Sequence, residues 1–562
     1  MCDTWDAPKK LLMFCQQCEQ TATPTGCHQY GQCGKTPEVD AVQDLMVYCA
    51  MSLAPVALQA KDLGINTRDL DVYICESLFA TMTNVNFGKR TFIKETRHII
   101  TQRELLKQQI SQQLGTNVVW PEFANYSPDF RKSLVGQGKR AIEQKIIPQA
   151  SDEDIFSLKL TILYGLKGSA SYMHLAHTLG EDDDDVYRFY YEAIDAINNQ
   201  HLTVEEGLKT ALKVGEVNYK VMELLSRGHT STYGHPVPTS VPLNAKIGKA
   251  ILVSGHDIKI LAELLEQTVD TGINIYTHGE LLPAHGYPKL KQKYPHLYGH
   301  YGTGWVKQQE EFDEFPGSIL MTTNCLMPPH DGYEDRLFTT SVVGHPELEH
   351  IQEIEKRHNF QPLIDKAREM PGFLCDEPPR QVMTGFGHNA VLEIAEQVIN
   401  GVNSGQIRHF FLVGGCDGAK PGRSYYTELV EKVPNDCLVL TLACGKFRFF
   451  DQSLGEINGI PRLLDLGQCN DAYSAIQITL ALAKAFQVGV NELPLSLILT
   501  WYEQKAIAVL LTLLYLGIQN IRLGPTLPSF LSPNVLKLLS QTYNLKPITT
   551  TDADLTACLD RK

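Results

Sequence analysis

Beyond residue 248 this chain contains seven short apolar runs, and each run ends at a residue type that commonly binds metal. The runs cover residues 249–255, 272–279, 318–324, 408–415, 438–443, 463–468 and 495–502, and they lead into His256, Glu280, Cys325, Cys416, Cys444, Cys469 and Glu503. Each run has the length and composition of a buried β-strand. Ligands of α/β proteins bind beyond the carboxyl ends of parallel strands. The pattern therefore predicts that four thiols, one imidazole and two carboxylates converge on one metal site.

Residues from about 36 to 235 are predicted to be helical almost throughout. Apolar residues recur there at three- and four-residue spacing in residues 39–63, 91–114, 152–178 and 203–226. The proline-rich segments HPVPTSVP (235–242) and DEPPR (376–380) mark breaks, and strands alternate with helices beyond the first break. Such alternation predicts mainly parallel sheets with helices on both faces. We therefore expect an α + α/β protein, with a helical-bundle N-terminal domain (1–236) followed by two mainly parallel, Rossmann-like α/β domains (237–380 and 381–562).

Four cysteines near the N-terminus follow the spacing Cys15-x2-Cys18-x8-Cys27-x5-Cys33, with glycines between them. Four thiolates this close in sequence can wrap one small metal centre. Such sets bind either iron–sulfur clusters or structural zinc. The spacing therefore favours a metal centre without deciding between these two kinds.

The strand-end set has a mixed chemistry. Cys416, Cys444 and Cys469 are separated by 28 and 25 residues, about one strand and one helix each, so we expect them on neighbouring strand ends. Buried cysteines are also common packing residues, but three that are flanked by glycine at successive strand ends favour a cofactor site. Thiolates suit iron–sulfur clusters, whereas imidazole and carboxylates suit oxygen-bridged or exchangeable iron. The mixture predicts irons with open positions for substrate chemistry.

Composition narrows the partners and the compartment. The net charge of -14 argues against a general binder of nucleic acid or of an anionic membrane, although it leaves room for a local basic docking patch. The apolar stretches at 11–14 and 506–518 are too short for a signal peptide core and for a membrane span. Fourteen cysteines without a secretory signal indicate reduced thiols, so we expect a cytoplasmic protein.

Several ordered motifs carry a resemblance to a known family. They are FCQQCEQT (14–21), SGHD (254–257), YTHGE (276–280), MTTNC (321–325), GGCDG (414–418), ACGKFR (443–448), LGQCND (466–471) and LTWYEQKA (499–506). Together they resemble the hybrid cluster protein (prismane) family, also called the hydroxylamine reductase family, over essentially the whole chain. The close spacing of the N-terminal cysteines is similar to the subgroup that carries a [4Fe–4S] cluster rather than a [2Fe–2S] cluster.

The resemblance implies ligands for two cofactors. Cys15, Cys18, Cys27 and Cys33 would hold the [4Fe–4S] cluster. A hybrid [4Fe–2S–2O]-type cluster would be bound by His256, Glu280, Cys325, Cys416, Cys444, Cys469 and Glu503. Cys416 matches the family cysteine that is found as a persulfide. The family fold, a helical domain followed by two α/β domains, agrees with the domain order expected from the residues.

The resemblance also implies an activity, the two-electron reduction of hydroxylamine to ammonia and water. Electrons would come from an external donor such as an NADH-linked reductase or a ferredoxin, with no nucleic-acid or membrane partner. Lys505, close to Glu503, is a candidate proton donor or a hydrogen-bond donor to a ligand. Four alternatives stay open: reduction of nitric oxide, trans-nitrosylation of protein thiols, a nickel carbon monoxide dehydrogenase-like reaction, and a non-enzymatic sensor of nitrosative stress.

Overall fold

A computed structural model describes residues 13–145 and 152–560 of the chain. The prediction that no signal peptide is present rests mainly on residues 1–12, which lie outside the described residues. The account of the fold below refers to the described ranges alone.

The first part of the chain is helical, as the sequence predicts. Its helices are α1 (Pro37–Asp62), α2 (Arg68–Ala80), α3 (Lys89–Leu114), α4 (Leu134–Lys145), α5 (Glu153–Thr178), α6 (Asp184–Asn198) and α7 (Val204–Tyr233). Helix α1 begins after Thr36, whose side chain accepts a hydrogen bond from the backbone N–H of Val39, and α7 begins with a Thr203–Glu206 capping box. Helix α1 is long and apolar enough to cross a membrane, but 83% of its apolar window is buried inside the protein.

The middle part of the chain builds a six-stranded parallel sheet. Its elements are β1 (Thr239–Pro242), β2 (Ala250–Ser254), α8 (Ile258–Gln267), β3 (Asn274–Thr277), α9 (Pro288–Lys293), β4 (Leu297–His300), α10 (Gln308–Glu314), β5 (Ser318–Met321), β6 (Leu337–Thr340), β7 (Glu349–Ile351), β8 (Glu353–Ile354), β9 (Arg357–His358) and α11 (Gln361–Glu369). The sheet has the order β4-β3-β2-β5-β6-β7 and every neighbouring pair is parallel.

The last part repeats this architecture. Its elements are β10 (Gln381–Thr384), α12 (His388–Glu393), α13 (Ala395–Asn403), β11 (His409–Gly415), α14 (Ser424–Lys432), β12 (Cys437–Thr441), β13 (Glu456–Ile457), β14 (Ile460–Pro461), β15 (Leu463–Asp465), α15 (Ala472–Phe486), β16 (Leu495–Thr500), α16 (Gln504–Tyr515), β17 (Ile521–Gly524), α17 (Pro533–Tyr543), β18 (Lys546–Pro547) and α18 (Thr551–Leu559). The parallel sheet has the order β15-β12-β11-β16-β17-β18.

Counted within each sheet, both strand orders are 3-2-1-4-5-6, the doubly wound arrangement of Rossmann folds. The strand order reverses between the first and fourth strands, which are β2 and β5 in one sheet and β11 and β16 in the other. Ligands of such sheets bind in the crevice beyond this reversal. The predicted α + α/β class and all seven predicted strands are therefore confirmed, and four of the seven predicted ligands follow these four strands.

The proline-rich segment after α7 is more ordered than its composition suggests. Strand β1 lies within it and pairs antiparallel with β10, from Thr239 opposite Thr384 to Pro242 opposite Gln381. The two predicted breaks are thus joined by a small ribbon. The domain boundaries at 236/237 and 380/381 themselves remain a prediction.

Helix α16, which follows Glu503, packs closely against the N-terminal helices. A Cβ atom added at Gly168 of α5 would lie 2.3 Å from the carbonyl oxygen of Gln504, and one added at Gly215 of α7 would lie 2.1 Å from that of Leu511. Glycine is therefore required at both contacts. This packing places the strand-end site of the last sheet against the helical region.

Candidate metal centres

Three of the predicted strand-end ligands meet directly. The ligand atoms of His256, Glu280 and Cys469 all lie within 4.8 Å of one another, and the three side chains are buried. His256 follows β2 and Glu280 follows β3 in the first sheet, whereas Cys469 follows β15 in the second. The carboxyl ends of the two sheets therefore face each other across one site.

Gln468 and Thr323 fix this part of the site. The side-chain amide of Gln468 donates to the carbonyl oxygens of His256 (3.0 Å) and Glu280 (2.7 Å), which joins the two sheets. The backbone N–H of Cys469 donates to Glu280 Oε2 at 2.8 Å. His256 Nδ1 lies 2.9 Å from Thr323 Oγ1, so Nε2 is directed into the site. Gln468 and Thr323 lie within the LGQCND and MTTNC motifs, but the sequence analysis assigns them no role, because each acts on residues that are distant along the chain.

The other three thiols lie in a buried group beside these ligands. Cys325, Cys416 and Cys444 pack together with Trp305 and Tyr502. Burial raises the pKa of each thiol, and negative charge on neighbouring thiols and carboxylates raises it further; for Cys416 the largest effects of this kind come from Glu503 and Cys325. Thiolates at this density require compensating positive charge, which bound metal supplies.

Glu503 and Lys505 complete the site at the N-terminus of α16. Glu503 caps the helix, since its Oε2 accepts from the backbone N–H of Lys505 at 2.8 Å. The Lys505 ammonium lies 3.1 Å from His256 Nε2, 3.0 Å from Asn324 Oδ1 and 3.5 Å from Glu503 Oε1. Burial disfavours its charge, but Glu503, the thiols and Glu280 outweigh burial, so the pKa of Lys505 is raised. The positively charged Lys505 side chain therefore lies among the predicted ligands.

Glycines before two of the cysteines allow the strand ends to approach. Gly415 has φ +110°, and a Cβ there would lie 2.3 Å from the carbonyl oxygen of Thr500. Gly467 has φ +134°, and a Cβ there would lie 2.1 Å from a carboxylate oxygen of Asp471. Both positions demand glycine on steric and backbone grounds. The flanking glycines noted in the sequence therefore have a structural cause.

The chemistry of the donor atoms fits a mixed iron–sulfur centre. Glu280 Oε1 is buried and has no hydrogen-bond partner, although buried carboxylate oxygens are normally paired. Burial acts to raise the pKa of Glu280, but its polar contact with His256 and the positive charges of Lys446 and Lys505 lower it overall, so the group stays ionised. An ionised oxygen without a partner beside four thiols is a donor set suited to iron.

The N-terminal cysteines form a second candidate centre. Cys15 and Cys27 face each other through paired backbone hydrogen bonds of 3.1 and 2.8 Å. Burial raises the pKa of Cys18, and the charges of Cys33, Cys15 and Cys27 raise it further, so the four thiols lie within electrostatic reach of one another. The ammonium of Lys35 lies 3.6 Å from Cys15 Sγ. The set fits a single cluster with four thiolate ligands.

The two centres are close to each other. Cys18 of the N-terminal set belongs to the same buried group as Cys325, Cys416 and Cys444. Burial raises the pKa of Tyr502, and thiols from both sets raise it further. Its ring stacks on Trp305 with a centroid distance of 4.5 Å, and its carbonyl oxygen accepts from the backbone N–H of Glu19 at 2.8 Å. Tyr502 therefore lies between the two cysteine sets.

An apolar cavity of about 130 Å³ leads away from the strand-end site. Its lining includes Cys416, Cys469 and Lys505, and it extends past Leu497 to Leu480 between α15 and α16. Most of its other lining residues are aliphatic. The cavity offers a small uncharged molecule a path to the sulfur ligands.

Comparison with known proteins identifies the family of the chain. The sequence matches the Prismane/CO dehydrogenase family over residues 13–556. The chain belongs to this family. Its relatives include a hydroxylamine reductase from Gloeothece citriformis (strain PCC 7424), 61% identical over 98% of this chain and 100% of that protein. Another, from Rippkaea orientalis (strain PCC 8801 / RF-1), is 62% identical over 97% of this chain and 100% of its own length. Family membership implies iron–sulfur clusters.

Solved structures support the fold. A Ni-free carbon monoxide dehydrogenase from Thermococcus sp. AM4 is similar with a TM-score of 0.55 at 16% identity, over 98% of this chain and 90% of that one. Carbon monoxide dehydrogenase IV from Carboxydothermus hydrogenoformans has a TM-score of 0.55 at 17% identity, over 99% and 94% of the two chains. At this identity the similarity concerns the fold alone.

Proposed function

We propose that this enzyme reduces hydroxylamine to ammonia and water at a hybrid [4Fe–2S–2O]-type cluster. The observation that supports this most directly is the pairing of two centres, one lined by thiols only and one that adds imidazole and carboxylates. A centre with thiolate ligands alone suits electron transfer, whereas oxygen and nitrogen ligands suit iron that exchanges a substrate. The full-length similarity to hydroxylamine reductases supports the same substrate.

Each set of ligands has a proposed role. Cys15, Cys18, Cys27 and Cys33 hold a [4Fe–4S] cluster that receives electrons. His256, Glu280, Cys325, Cys416, Cys444, Cys469 and Glu503 hold the hybrid cluster, with Cys416 as the candidate persulfide. Iron held by these residues would supply the two electrons and would serve as a Lewis acid towards the substrate. The reaction NH2OH + 2 e⁻ + 2 H⁺ → NH3 + H2O then needs protons as well as electrons.

Lys505 is the residue of this chain best placed to hold a proton in the site. Its ammonium contacts His256 Nε2 at 3.1 Å. His256 Nε2 cannot accept this hydrogen bond and bind iron at once, so metal binding frees an N–H of Lys505. That N–H is then available to a substrate oxygen, while Asn324 Oδ1 and Glu503 Oε1 keep the side chain in place.

Turnover of hydroxylamine with a chemical reductant, measured without oxygen, tests this role. We expect Lys505→Met to keep its iron and lose on the order of 10²- to 10⁴-fold in turnover, as for a proton donor. Lys159→Met is the matched control, because Lys159 is also a buried lysine but donates to the carbonyl oxygen of Asn199 in the helical region. Unchanged turnover of Lys505→Met would exclude the role.

The electron donor and the compartment belong to the same proposal. An NADH-linked reductase or a ferredoxin in the cytoplasm would deliver electrons to the N-terminal centre, and the protein would serve during nitrosative stress. Reduction of the protein by purified donors of each class, followed by the visible spectrum of the iron–sulfur centres, identifies the donor.

Nitric oxide is a second candidate substrate, favoured by the apolar cavity. Nitric oxide is a small uncharged molecule, whereas hydroxylamine carries several hydrogen-bonding groups. Ala475 lines the cavity, so Ala475→Phe narrows it and Ala475→Ser serves as a control of nearly unchanged size. If nitric oxide is the substrate that uses this path, Ala475→Phe slows its turnover more than that of hydroxylamine. If Ala475→Phe slowed the turnover of both substrates equally, the cavity would no longer favour nitric oxide as a substrate.

A further inference from the structure

A buried chain of charged side chains connects the two cysteine sets. Glu19 directly follows Cys18 of the N-terminal set, and Asp417 directly follows Cys416 of the strand-end set. Arg423, at the start of α14, lies between the two carboxylates. Its terminal nitrogens are 3.0 Å from Glu19 Oε2 and 3.0 Å from Asp417 Oδ1. The Arg423 side chain and both carboxylates are nearly inaccessible to solvent.

The network is almost completely paired. Arg423 also donates to the Thr500 hydroxyl and to the carbonyl oxygen of Trp501, beside the end of β16. Asp417 Oδ2 accepts from Arg448 at 2.7 Å, and Glu19 Oε1 accepts from Thr526 at 2.7 Å. Glu19 Oε1 also lies 3.7 Å from the Lys420 ammonium, so the two buried carboxylates face the buried Arg423 and the partly exposed Arg448 and Lys420.

A network of this kind fixes geometry more than it adds stability. Apolar side chains of similar volume often stabilise a protein as well as a buried ion pair does, but ion pairs hold a single arrangement of their elements. A guanidinium can bond two carboxylates at once in a planar fork, which a lysine ammonium does not reproduce. Here the fork joins the residue after Cys18 to the residue after Cys416, two cysteines of different sets that belong to the same buried group.

We propose that Arg423 is a positioning residue that sets the spacing of the two clusters and thereby the rate of electron transfer between them. The inference rests on the proposed function, in that it assumes both clusters are present. It concerns residues outside the ligand sets and needs no proton transfer. According to this proposal, the correct ligands are not sufficient for fast electron transfer. Both clusters can be fully assembled and still exchange electrons slowly.

The test compares Arg423→Gln with Arg462→Gln. Arg462 is also buried, but it lies at the amino ends of the strands of the same sheet, away from the ligands. It donates there to the backbone carbonyl oxygens of Cys437, Val433, Pro434 and Leu454. Three quantities are measured without oxygen: iron content, the magnetic coupling of the two reduced clusters by electron paramagnetic resonance, and the rate of electron transfer between them after rapid reduction. Glu19→Gln, which removes one branch only, covers the case in which Arg423→Gln does not fold.

We expect Arg423→Gln and Glu19→Gln to keep their iron, to show weaker magnetic coupling and to transfer electrons severalfold more slowly, because electron transfer slows as the distance between the clusters grows. Arg423→Lys should recover part of the rate, and Arg462→Gln should match the natural protein in coupling and rate. Coupling and rate in Arg423→Gln equal to those of Arg462→Gln would overturn the proposal. Absence of the second cluster from the natural protein would instead contradict the proposed function, and iron analysis separates the two cases.

Discussion

Gly415 offers a sharp test of how the strand ends build the site. An alanine Cβ at this position would lie 2.3 Å from the carbonyl oxygen of Thr500, the last residue of β16, while ordinary contact begins at 3.4 Å. Gly415→Ala must therefore part the ends of β11 and β16 by about 1 Å, and a misplacement of this size costs on the order of 10²-fold in rate. Those two strand ends carry Cys416 and Glu503. The positive φ of +110° adds about 1–3 kcal/mol of backbone strain.

Gly405→Ala is the matched control for Gly415→Ala. Gly405 also has a positive φ, +75°, but nothing lies within 4 Å of an added Cβ. It therefore carries a backbone penalty of about 1–2 kcal/mol without a clash. The assay combines thermal unfolding, iron content and turnover of hydroxylamine. We expect Gly405→Ala to lose stability only, and Gly415→Ala to lose turnover or hybrid-cluster iron in addition. Equal turnover and iron in the two variants would refute the reasoning.

Three further predictions concern the metal centres. Cys18→Ser and Cys416→Ser should each lower the iron content by about half, and each variant should lose the spectroscopic signal of a different cluster. Loss of the same signal in both variants would contradict the presence of two separate clusters. Tyr502→Phe removes the hydroxyl that donates to the Asn84 side-chain oxygen, so it should lower the free energy of unfolding by about 1–3 kcal/mol and leave the iron content unchanged. An unchanged free energy of unfolding would count against this hydrogen bond. Burial raises the pKa of most of the ligand thiols, so they are protonated near pH 7 in the metal-free protein and should release protons when iron and sulfide bind. The pH of a weakly buffered solution measures this release, and an unchanged pH would contradict the prediction.

The strand ends were the most predictable part of the molecule. A buried parallel strand is a short apolar run in the sequence, and the residue that follows it lies at the ligand-binding end of the sheet. The apolar pattern alone therefore predicted that the seven candidate ligands lie at strand ends. The N-terminal helices were predictable for the same reason. Helices α2 and α4 lie within the region predicted to be helical almost throughout, although no apolar periodicity was assigned to either of them. The segment that forms β1 was predicted only as a break, because its prolines obscure a strand that depends on β10, distant in sequence.

Contacts between distant residues could not be predicted from the sequence. Lys505 and His256 are 249 positions apart, and Arg423 and Glu19 are 404 apart. Local propensity carries no information on such pairs, which depend on how the two sheets and the helical region pack. Lys505 was a candidate only because of its closeness to Glu503, Gln468 lay within a family motif without an assigned role, and Arg423 lay in none of the motifs. The assignment of all eleven ligands remains a prediction that metal analysis tests.

Metal and acid-labile sulfide analysis of protein purified without oxygen tests the central claim most directly. The account predicts roughly eight iron atoms per chain, about four in each centre, with neither nickel nor zinc in stoichiometric amounts. About one nickel per chain would contradict the hybrid cluster and favour chemistry of the carbon monoxide dehydrogenase type. Zinc alone would make the N-terminal centre structural and would end the case for a redox enzyme.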